Sequence, residues 1–284
     1  MTVISVITPV FNRAHSVGAA IDSALAQDLP AGWVLEVVIG DDGSTDDLAG
    51  ALKRFDARVR LVRHERNAGA AAARNTAVAA ARGDWLTFLD SDDVWLPSKL
   101  SRQIAVMQSY GWEASCTAYV LEHLRGSTFV SPKWSTGALG LDRIVWGCFV
   151  SPGSTLLVSR KLFEAVGPFD VGLERFEDWD WLVRLTAIQP LGFLAEPLSR
   201  VSPSGFADAE KAVRALEALG AKHLDRLPQR LRRRFESGLD VERAATYYRS
   251  GERLAAVGGV LRSLARVPVG NAAVAAVLSN ALAR

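Results

Sequence analysis

The sequence predicts an α/β fold, with a mostly parallel central sheet covered by helices and an all-helical extension at the C-terminus. Within the first hundred residues, short apolar runs alternate with segments of helical periodicity, which is typical of consecutive strand–helix units. The apolar runs are nearly continuous, as in Val34–Ile39, which only Glu36 interrupts. Continuous runs of this kind indicate strands of a parallel sheet that are buried on both faces.

Four strands, each followed by a helix, are predicted within the first 108 residues. The strands are Val3–Thr8, Leu35–Ile39, Val59–Val62 and Trp85–Leu89. The helices are Ser16–Gln27, Thr45–Phe55, Gly69–Ala81 and Pro97–Gln108. The first helix repeats its apolar residues at helical spacing, so we expect one stripe of it to pack on the sheet.

The next part of the chain is less regular. Mixed or antiparallel strands are predicted at Ala114–Leu121 and Thr155–Val158, and helices at Arg160–Val166 and Phe176–Ala187. From Phe206 onward the pattern is helical, with breaks expected at Pro228, near Gly251 and at Pro268.

A domain boundary is predicted near Arg200–Gly205, where the letters VSPSG have the composition of a linker. This boundary makes residues 1–204 one domain, with halves 1–100 and 101–204, and makes residues 205–284 a basic helical extension.

Charge is distributed unevenly between these two parts. Residues 200–284 hold 15 Lys and Arg against 8 Asp and Glu, whereas residues 1–199 hold 18 against 23. An acidic first part suits a metal ion and its ligand, and a basic tail suits an anionic surface such as phospholipid headgroups. The tail lacks interleaved aromatic residues and nucleic-acid-binding motifs, so no nucleic acid partner is expected.

Cysteine content and hydropathy predict a cytoplasmic location. The two cysteines, Cys116 and Cys148, form no disulfide framework and lack metal-ligand spacing, so a reducing compartment is expected and both are predicted to be buried apolar residues. The N-terminus has no basic leader, and the longest weakly polar segment, Asn271–Ala283, is too short to span a bilayer. The chain is therefore expected to be soluble or peripheral at the inner face of the membrane.

Polar residues follow three of the predicted strands. Pro9–Asn12 follows the first, Asp41 and Asp42 follow the second, and Asp90–Asp93 follows Trp85–Leu89. In open α/β sheets the carboxyl ends of the strands form the edge at which ligands bind. Clustered carboxylates suit a hard divalent cation, although an acidic turn that caps the next helix has the same composition.

Five motifs in this chain resemble those of glycosyltransferase family 2, the inverting nucleotide-sugar transferases with a GT-A fold. They are SVITPVFNR (Ser5–Arg13), VVIGDDGSTDD (Val37–Asp47), NAGAAAARNTA (Asn67–Ala77), WLTFLDSDD (Trp85–Asp93) and FEDWDWLVRL (Phe176–Leu185). The resemblance covers about residues 1–200. It implies a GT-A catalytic domain that takes a nucleotide-sugar donor and a glycan or lipid-linked acceptor.

The resemblance also implies a divalent cation, Mn2+ or Mg2+, which neutralises the diphosphate leaving group. Asp92 is the implied metal ligand, and Asp90 and Asp93 share metal, ribose or phosphate-water contacts. Ser91 belongs to the same motif and is expected beside the nucleotide.

The nucleoside is expected over the ends of the first two strands. The base lies against Pro9 and Phe11, and Asp42 accepts a hydrogen bond from a base N–H, with Asp41 as the weaker candidate. Arg74 faces the nucleotide or its diphosphate. The structural alternatives are core packing for Phe11, helix capping for the aspartates and a surface ion pair for Arg74.

An inverting transfer needs a base that takes the proton of the acceptor hydroxyl. The matching motif is Glu177-Asp178, and Asp178 is the predicted base. Its position at the start of a helix is expected to lower its pKa, so that it is ionised. The alternative is that these residues are only the acidic first turn that a helix dipole favours. Trp179 and Trp181 are candidates for lining the sugar or acceptor site, although tryptophans on such a helix are more often core residues.

The chain departs from the family pattern at one position. Many relatives carry a histidine near the metal after this segment, whereas LSRVSPSG offers Ser202, and no histidine follows until His223. Either the carboxylates, phosphates and water alone hold the metal, or another residue completes the site.

The C-terminal arginines are the basis for a second expectation. Arg226, Arg230, Arg232, Arg233 and Arg234 lie close together before a predicted helical hairpin. They predict contact with an anionic membrane or a lipid-linked acceptor, or else a solvated basic helix face.

Three other classes of protein fit this sequence less well than a transferase. A phosphatase of the haloacid dehalogenase class needs an aspartate after the first strand, where this chain has Thr8-Pro9-Val10. A nucleotidylyltransferase normally has a Gly-rich basic loop there. A non-catalytic nucleotide-sugar-binding protein predicts the loss of the metal or base carboxylates, and both are present. The sequence therefore favours a transferase. The family resemblance implies a UDP-sugar as the default donor and leaves GDP- or dTDP-linked sugars open.

Overall fold

The computed structural model describes residues 1–122, 128–202 and 208–267. Its centre is a mixed sheet in which the first four strands are parallel neighbours in the order β3-β2-β1-β4. These strands are β1 (Thr2–Val10), β2 (Trp33–Asp41), β3 (Val59–Arg63) and β4 (Trp85–Phe88). The predicted parallel half of the sheet is confirmed.

The second half of the sheet mixes strand directions, as the irregular sequence predicts. β9 is antiparallel to both β4 and β6, whereas β10 is parallel to β6. The remaining strands are β5 (Val94–Trp95), β6 (Ala114–Glu122), β7 (Thr128–Ser131), β8 (Gly137–Leu139), β9 (Leu157–Ser159) and β10 (Leu191–Val201).

Helices cover both faces of the sheet. Those of the first half are α1 (Val17–Leu25), α2 (Leu48–Leu52), α3 (Ala70–Ala80) and α4 (Lys99–Tyr110). They are followed by α5 (Leu141–Ile144), α6 (Pro152–Thr155), α7 (Arg160–Val166), α8 (Glu177–Ile188), α9 (Ala209–His223), α10 (Gln229–Arg249) and α11 (Arg253–Arg266). The helix predicted over Thr45–Phe55 is shorter, because the Asp47 side chain caps α2 by accepting from the Gly50 amide.

The predicted helix breaks at Pro228 and near Gly251 are confirmed, since α10 begins after the first and ends before the second. Gly251 has a φ of 86°, which favours glycine. The predicted break at Pro268, the start of the helical pattern at Phe206, the weakly polar segment Asn271–Ala283 and the boundary at residues 204–205 lie outside the described residues.

The hydrophobic core has one layer on each face of the sheet. One layer joins β1 and β2 to α1 and α4. The other contains Trp179 and Trp181 of α8 together with Leu216 of α9 and Phe235 of α10. The C-terminal helices therefore pack into the same core as the helix that carries the Glu177-Asp178 motif.

A buried charge cluster also fastens α9 to α8. Asp180 is fully buried and receives His223 Nε2 at 2.7 Å, Lys222 Nζ at 2.8 Å and Arg184 Nε at 2.9 Å. Burial works to raise the pKa of Asp180, but these hydrogen bonds and positive charges outweigh it and lower the pKa to about 2. We call Asp180, Arg184, Lys222 and His223 the Asp180 cluster. No helix in the described part of the chain is long and apolar enough to cross a membrane.

Candidate active site

The loops after β1 and β2 meet at one edge of the sheet, as their parallel pairing requires. Asn12 ties them together in a left-handed conformation, with φ of 53°. Its amide donates to Ser44 Oγ at 3.0 Å, and its Oδ1 accepts from the Thr45 amide at 2.8 Å. Beside it, the Phe11 side chain is 45% exposed and Pro9 is half-buried. An exposed aromatic ring at this edge is available to a planar ligand.

The two aspartates after β2 have different surroundings. Asp42 is buried, and both its oxygens are engaged by protein donors. Its Oδ1 accepts from the Ala68 amide at 2.8 Å and faces His64 Nδ1 at 2.9 Å, and its Oδ2 accepts from the Gly69 amide at 2.8 Å. Asp42 therefore holds the segment that leads into α3.

Asp41 keeps one acceptor free. Its Oδ1 accepts from the Ser44 amide at 2.8 Å, whereas its buried Oδ2 receives no hydrogen bond from the described residues. Arg63 Nε lies 3.4 Å from Oδ2, an ion-pair distance without hydrogen-bond geometry. A buried carboxylate oxygen without a donor is costly, so Asp41 rather than Asp42 has capacity for a ligand N–H.

The three aspartates after β4 also differ. Asp93 is buried, and its carboxylate accepts from Ser154 Oγ and from the Ser202 amide at 2.8 Å. Burial is the main reason that the pKa of Asp93 is well above its usual value. The Asp92 side chain is 33% exposed, with Arg13 Nη2 at 3.4 Å. The Asp92 carboxylate is thus accessible to a ligand, whereas the contacts of Asp93 hold the turn.

Two serines support this turn. Ser202 stands where the sequence resemblance leads us to expect a histidine, and its hydroxyl donates to the Asp92 carbonyl oxygen at 2.6 Å. Ser154 Oγ receives the Asp90 amide at 3.0 Å, and its carbonyl oxygen accepts from Trp95 Nε1 at 2.8 Å. His223, the next histidine, belongs to the Asp180 cluster, so it does not replace the missing ligand. Ser91 is buried beside these residues.

Arg74 joins the Asp90–Asp93 turn to the Glu177-Asp178 motif. Its side chain is only 7% exposed, and it donates from Nη2 to Asp90 Oδ1 at 2.8 Å and from Nη1 to Glu177 Oε1 at 2.5 Å. Burial works to lower the pKa of Arg74, but the charges of Asp90 and Glu177 raise it, so the guanidinium stays charged. Its Nε has no partner among the described residues.

Asp178 is the second residue of α8, which follows Phe176, a buried residue with a left-handed φ of 64°. The Asp178 Oδ1 accepts from the Trp179 amide at 2.7 Å, and Cys148 Sγ lies 3.4 Å from Oδ2. The expected lowering of its pKa is wrong. Burial, followed by the charge of Glu177, raises the pKa of Asp178 to about 6, so the carboxylate is ionised but basic at neutral pH.

Several other residues of the five motifs have structural roles. Trp179 and Trp181 are fully buried core residues whose indole N–H groups donate to the carbonyl oxygens of Ile144 and Gly167. They therefore do not line a sugar site. Asn75 braces the Phe169 backbone through two hydrogen bonds.

Sequence reasoning missed Cys148, Gly153 and Ser154. Of the two cysteines, Cys116 is buried as predicted, whereas Cys148 is half-buried beside the Asp178 carboxylate. A Cβ added to Gly153 would lie 2.5 Å from Asp90 Oδ2, so any other residue there would require the carboxylate to shift. The turn letters SPGS were a signal for Gly153 and Ser154, but a lone cysteine 30 residues before Asp178 carried none.

The residues present fit a divalent cation. In the described ranges, no group of three or more His, Cys, Asp or Glu side chains is arranged to hold a metal ion. Mg2+ does not need such a cage, because it is usually bound by one or two carboxylates together with substrate phosphates and water. Asp92 and Asp90, each about a third exposed, supply two such carboxylates.

Comparisons with known proteins identify the family of this chain. The family model described as glycosyl transferase family 2 matches residues 5–167. The UDP-Glc:alpha-D-GlcNAc-diphosphoundecaprenol beta-1,3-glucosyltransferase WfgD of Escherichia coli is 42% identical over 105 residues, which are 37% of this chain and 40% of WfgD. The chain spans less than two thirds of the length of the curated relatives it matches first.

Solved structures show the same architecture. TarS 1–349 of S. aureus has a TM-score of 0.69 at 19% identity, over 94% of this chain and 81% of that one, and the same TarS segment was also solved with UDP-GlcNAc. The mannosyltransferase PcManGT of Pyrobaculum calidifontis, in complex with GDP-Man and Mn2+, has a TM-score of 0.61 at 19% identity, over 99% and 79%. The GT-A fold expected from the sequence is confirmed.

Proposed function

The chain belongs to glycosyltransferase family 2, and from that premise we propose that it is a metal-dependent inverting glycosyltransferase. It transfers a sugar from a nucleoside-diphosphate sugar to a hydroxyl of a glycan or lipid-linked acceptor. The observation that carries this proposal is the bridge that Arg74 makes between Asp90 and Glu177. The bridge links the carboxylates suited to a metal with α8. This helix carries Asp178, whose carboxylate is ionised and basic.

The nucleoside binds at the ends of β1 and β2. Phe11, with its exposed ring, and Pro9 receive one face of the base, and Asp41 accepts the base N–H through its free Oδ2. This role belonged to Asp42 in the sequence-based expectation. The complete engagement of the Asp42 oxygens by backbone amides and His64 favours Asp41 instead.

Asp92 and Asp90 hold the divalent cation, and Arg74 keeps Asp90 in position. The bound Mn2+ or Mg2+ supplies Lewis-acid stabilisation of the diphosphate leaving group. Asp93 contributes indirectly, because its hydrogen bonds to Ser154 and Ser202 fix the turn that carries Asp92.

Asp178 takes the proton of the acceptor hydroxyl as that oxygen attacks the anomeric carbon. A pKa of about 6 suits this role, because most of the carboxylate is ionised at pH 7 while its basicity exceeds that of an ordinary aspartate. Glu177 acts through Arg74, because the Arg74 guanidinium forms ion pairs with both Glu177 and Asp90. Glu177 is therefore a positioning residue in this proposal.

The donor is proposed to be a UDP-sugar, with GDP- and dTDP-sugars as alternatives. WfgD is named for UDP-Glc, and TarS was solved with UDP-GlcNAc, whereas PcManGT was solved with GDP-Man. The acceptor is proposed to carry a lipid-linked diphosphate, as the name of WfgD states for its own acceptor. In this proposal the enzyme acts in the cytoplasm, in the assembly of polysaccharides or glycoconjugates that belong to the cell surface.

The base assignment is tested with Asp178→Asn and with Glu174→Gln as the control. Glu174 is an acidic residue three positions before Glu177, and its side chain is 61% exposed. UDP release is measured from UDP-glucose with GlcNAc-diphosphoundecaprenol, the pair in the name of WfgD, and from a panel of other nucleotide sugars. Asp178→Asn is expected to abolish transfer while nucleotide-sugar binding survives, and Glu174→Gln to keep both. Unimpaired turnover by Asp178→Asn refutes the assignment.

Contact with an anionic membrane is proposed for the outer face of α11. Four apolar side chains form an exposed stripe on this face, Leu254 at 90%, Val257 at 56%, Leu261 at 61% and Leu264 at 37%. The opposite face packs on α10 through Ala256, Gly259 and Ser263. Residues 253–284 contain four arginines and no acidic residue. An exposed apolar stripe with basic neighbours is typical of a helix that lies in a membrane interface.

Vesicle flotation tests this surface. The intact chain is expected to float with vesicles that contain phosphatidylglycerol and to remain below with neutral phosphatidylcholine vesicles. A variant with Leu254→Glu and Leu261→Glu is expected to lose flotation. The matched control carries Val171→Glu and Ile188→Glu, because these side chains are 62% and 56% exposed outside α11. Equal flotation of both double variants sinks the membrane proposal.

A further inference from the structure

Cys148 lies against the carboxylate that we propose as the catalytic base. Its Sγ is 3.4 Å from Asp178 Oδ2, a normal length for a thiol that donates to oxygen. The only other described hydrogen bond to this carboxylate comes from the Trp179 amide, which donates to Oδ1. Cys148 is therefore the one side chain in the described ranges that donates to Asp178.

The 145–151 loop that carries Cys148 is fixed at both ends. Before it, the Ile144 carbonyl oxygen accepts from Trp179 Nε1 at 2.8 Å. Within it, the Val150 carbonyl oxygen accepts from Thr155 Oγ1 at 2.5 Å, and Phe149 packs edge-on against Trp134 with ring centres 5.7 Å apart. The fold of this loop therefore holds the Cys148 thiol beside Asp178.

The α10 helix supports the same loop from behind. A Cβ added to Gly238 would lie 2.7 Å from the Trp146 carbonyl oxygen, so the helix backbone approaches the loop closely. Val241 and Ala245 of α10 pack against Phe149. The C-terminal helices thus reach the base through this loop.

The thiol stays protonated in this environment. Burial, together with the charge of Asp178, holds the pKa of Cys148 well above its usual range, so the group acts as a donor and not as a thiolate. A thiol is a weaker donor than a hydroxyl. It can orient the carboxylate while stabilising the ionised form less than a serine hydroxyl would.

Several other charged or titratable groups act on this pair. Glu177 raises the pKa of Asp178, and Arg74 on α3 lowers it. Cys116 on β6 and Glu242 on α10 interact electrostatically with Cys148. All of them stay in place when only the Cys148 side chain is changed.

We infer that Cys148 is a positioning residue that orients the Asp178 carboxylate for proton transfer and limits how strongly its charge is stabilised. This inference rests on the proposed function, because it takes Asp178 to be the base. It assigns a role in the reaction to a residue outside the five motifs.

The test compares the dependence of kcat/KM on pH in Cys148→Ala, Cys148→Ser and wild type. Loss of the donor in Cys148→Ala disfavours the ionised carboxylate, so its acid limb is expected to move up by about half a pH unit. A hydroxyl donates more strongly, so the acid limb of Cys148→Ser is expected at or below that of wild type. If Cys148 has only a structural role, both substitutions lower kcat, and the acid limb does not move in opposite directions in Cys148→Ala and Cys148→Ser.

Cys116→Ala is the matched control, because it removes the other thiol, which is fully buried and makes no hydrogen bond to Asp178. Its acid limb is expected to coincide with that of wild type. If Asp178→Asn retains transfer, the proposed base is wrong. If Asp178→Asn is inactive but both Cys148 variants keep the wild-type limb, the inference about Cys148 alone is overturned.

Discussion

Arg74 is the residue on which the geometry of the site depends most. It is buried and neutralises Asp90 and Glu177, two carboxylates that come from the turn after β4 and from the start of α8. Removing one partner of a buried ion pair leaves uncompensated charge, which is far more costly than losing a surface pair.

Arg74→Met is therefore expected to lower the free energy of unfolding by about 3 kcal/mol and to abolish transfer. Denaturant unfolding and UDP release measure the two effects. Arg58→Met is the control, because Arg58 pairs with Asp56 on the surface, where both side chains are more than half exposed. It is expected to change little. Wild-type stability in Arg74→Met contradicts the buried bridge.

Gly153 makes a second prediction at the scale of the residue. Gly153→Ala adds a methyl group against Asp90 Oδ2, and the carboxylate has to move away. We expect a severalfold weaker affinity for Mn2+ with a fold that remains intact. Gly137→Ala is the control, since a Cβ there meets nothing within 4 Å. Titration with Mn2+ in the presence of UDP compares the variants, and equal affinities argue against Asp90 as a metal ligand.

At the scale of the element, the parallel strands were the most predictable part of the molecule. Nearly continuous apolar runs, such as Val34–Ile39 with Val37, Val38 and Ile39 fully buried, indicate burial on both faces, and the polar residues just after them indicate the ligand edge. The contacts within the site were not predictable, because they depend on pairs distant in sequence. The bond from Arg74 to Glu177 spans 103 residues, and that from Ser202 to Asp93 spans 109.

The same limit explains why the sequence could not tell Asp41 and Asp42 apart by their contacts. Composition gives the two residues the same chemistry, and only the fold shows that backbone amides occupy Asp42 while Asp41 Oδ2 receives no hydrogen bond from the described residues. The pKa of Asp178 was misjudged for a related reason. A helix start lowers the pKa of an exposed carboxylate, but burial reverses the sign here.

The contact between α8 and α9 leads to a prediction at the scale of the element. Lys222 Nζ bonds to Asp180, whereas Lys211 on the same helix makes only an exposed pair with Glu174. Lys222→Met is expected to lower the free energy of unfolding by about 2 kcal/mol at pH 7, and Lys211→Met to leave it nearly unchanged.

The dependence of this contribution on pH has a defined sign. The pKa of Asp180 is lowered to about 2 from an ordinary 3.8. Its stabilising contribution is therefore present above pH 4 and is lost as the pH falls towards 2. The stability difference between wild type and Lys222→Met is expected to shrink over that range in thermal unfolding. A difference that stays constant there contradicts the role of Lys222 in the Asp180 cluster.

At the scale of the whole molecule, the C-terminal helices are part of the catalytic core. Leu216 and Phe235 share the hydrophobic layer of Trp179, and α10 supports the loop that carries Cys148. The outer face of α11 is the surface that we propose for membrane contact. In our proposal, one chain thus presents a donor site at the sheet edge and a lipid-facing helix that packs on α10.

The central claim is that Asp92 couples a divalent cation to a nucleoside-diphosphate sugar at this sheet edge. Thermal unfolding tests it directly, with UDP-glucose or UDP-GlcNAc, with and without Mn2+, in wild type and Asp92→Asn. Ligand and Mn2+ together are expected to raise the Tm of wild type by about 5–10 °C at saturating concentrations. Asp92→Asn is expected to lose the part that depends on Mn2+. A Tm rise that is the same without Mn2+, or unchanged in Asp92→Asn, contradicts the account.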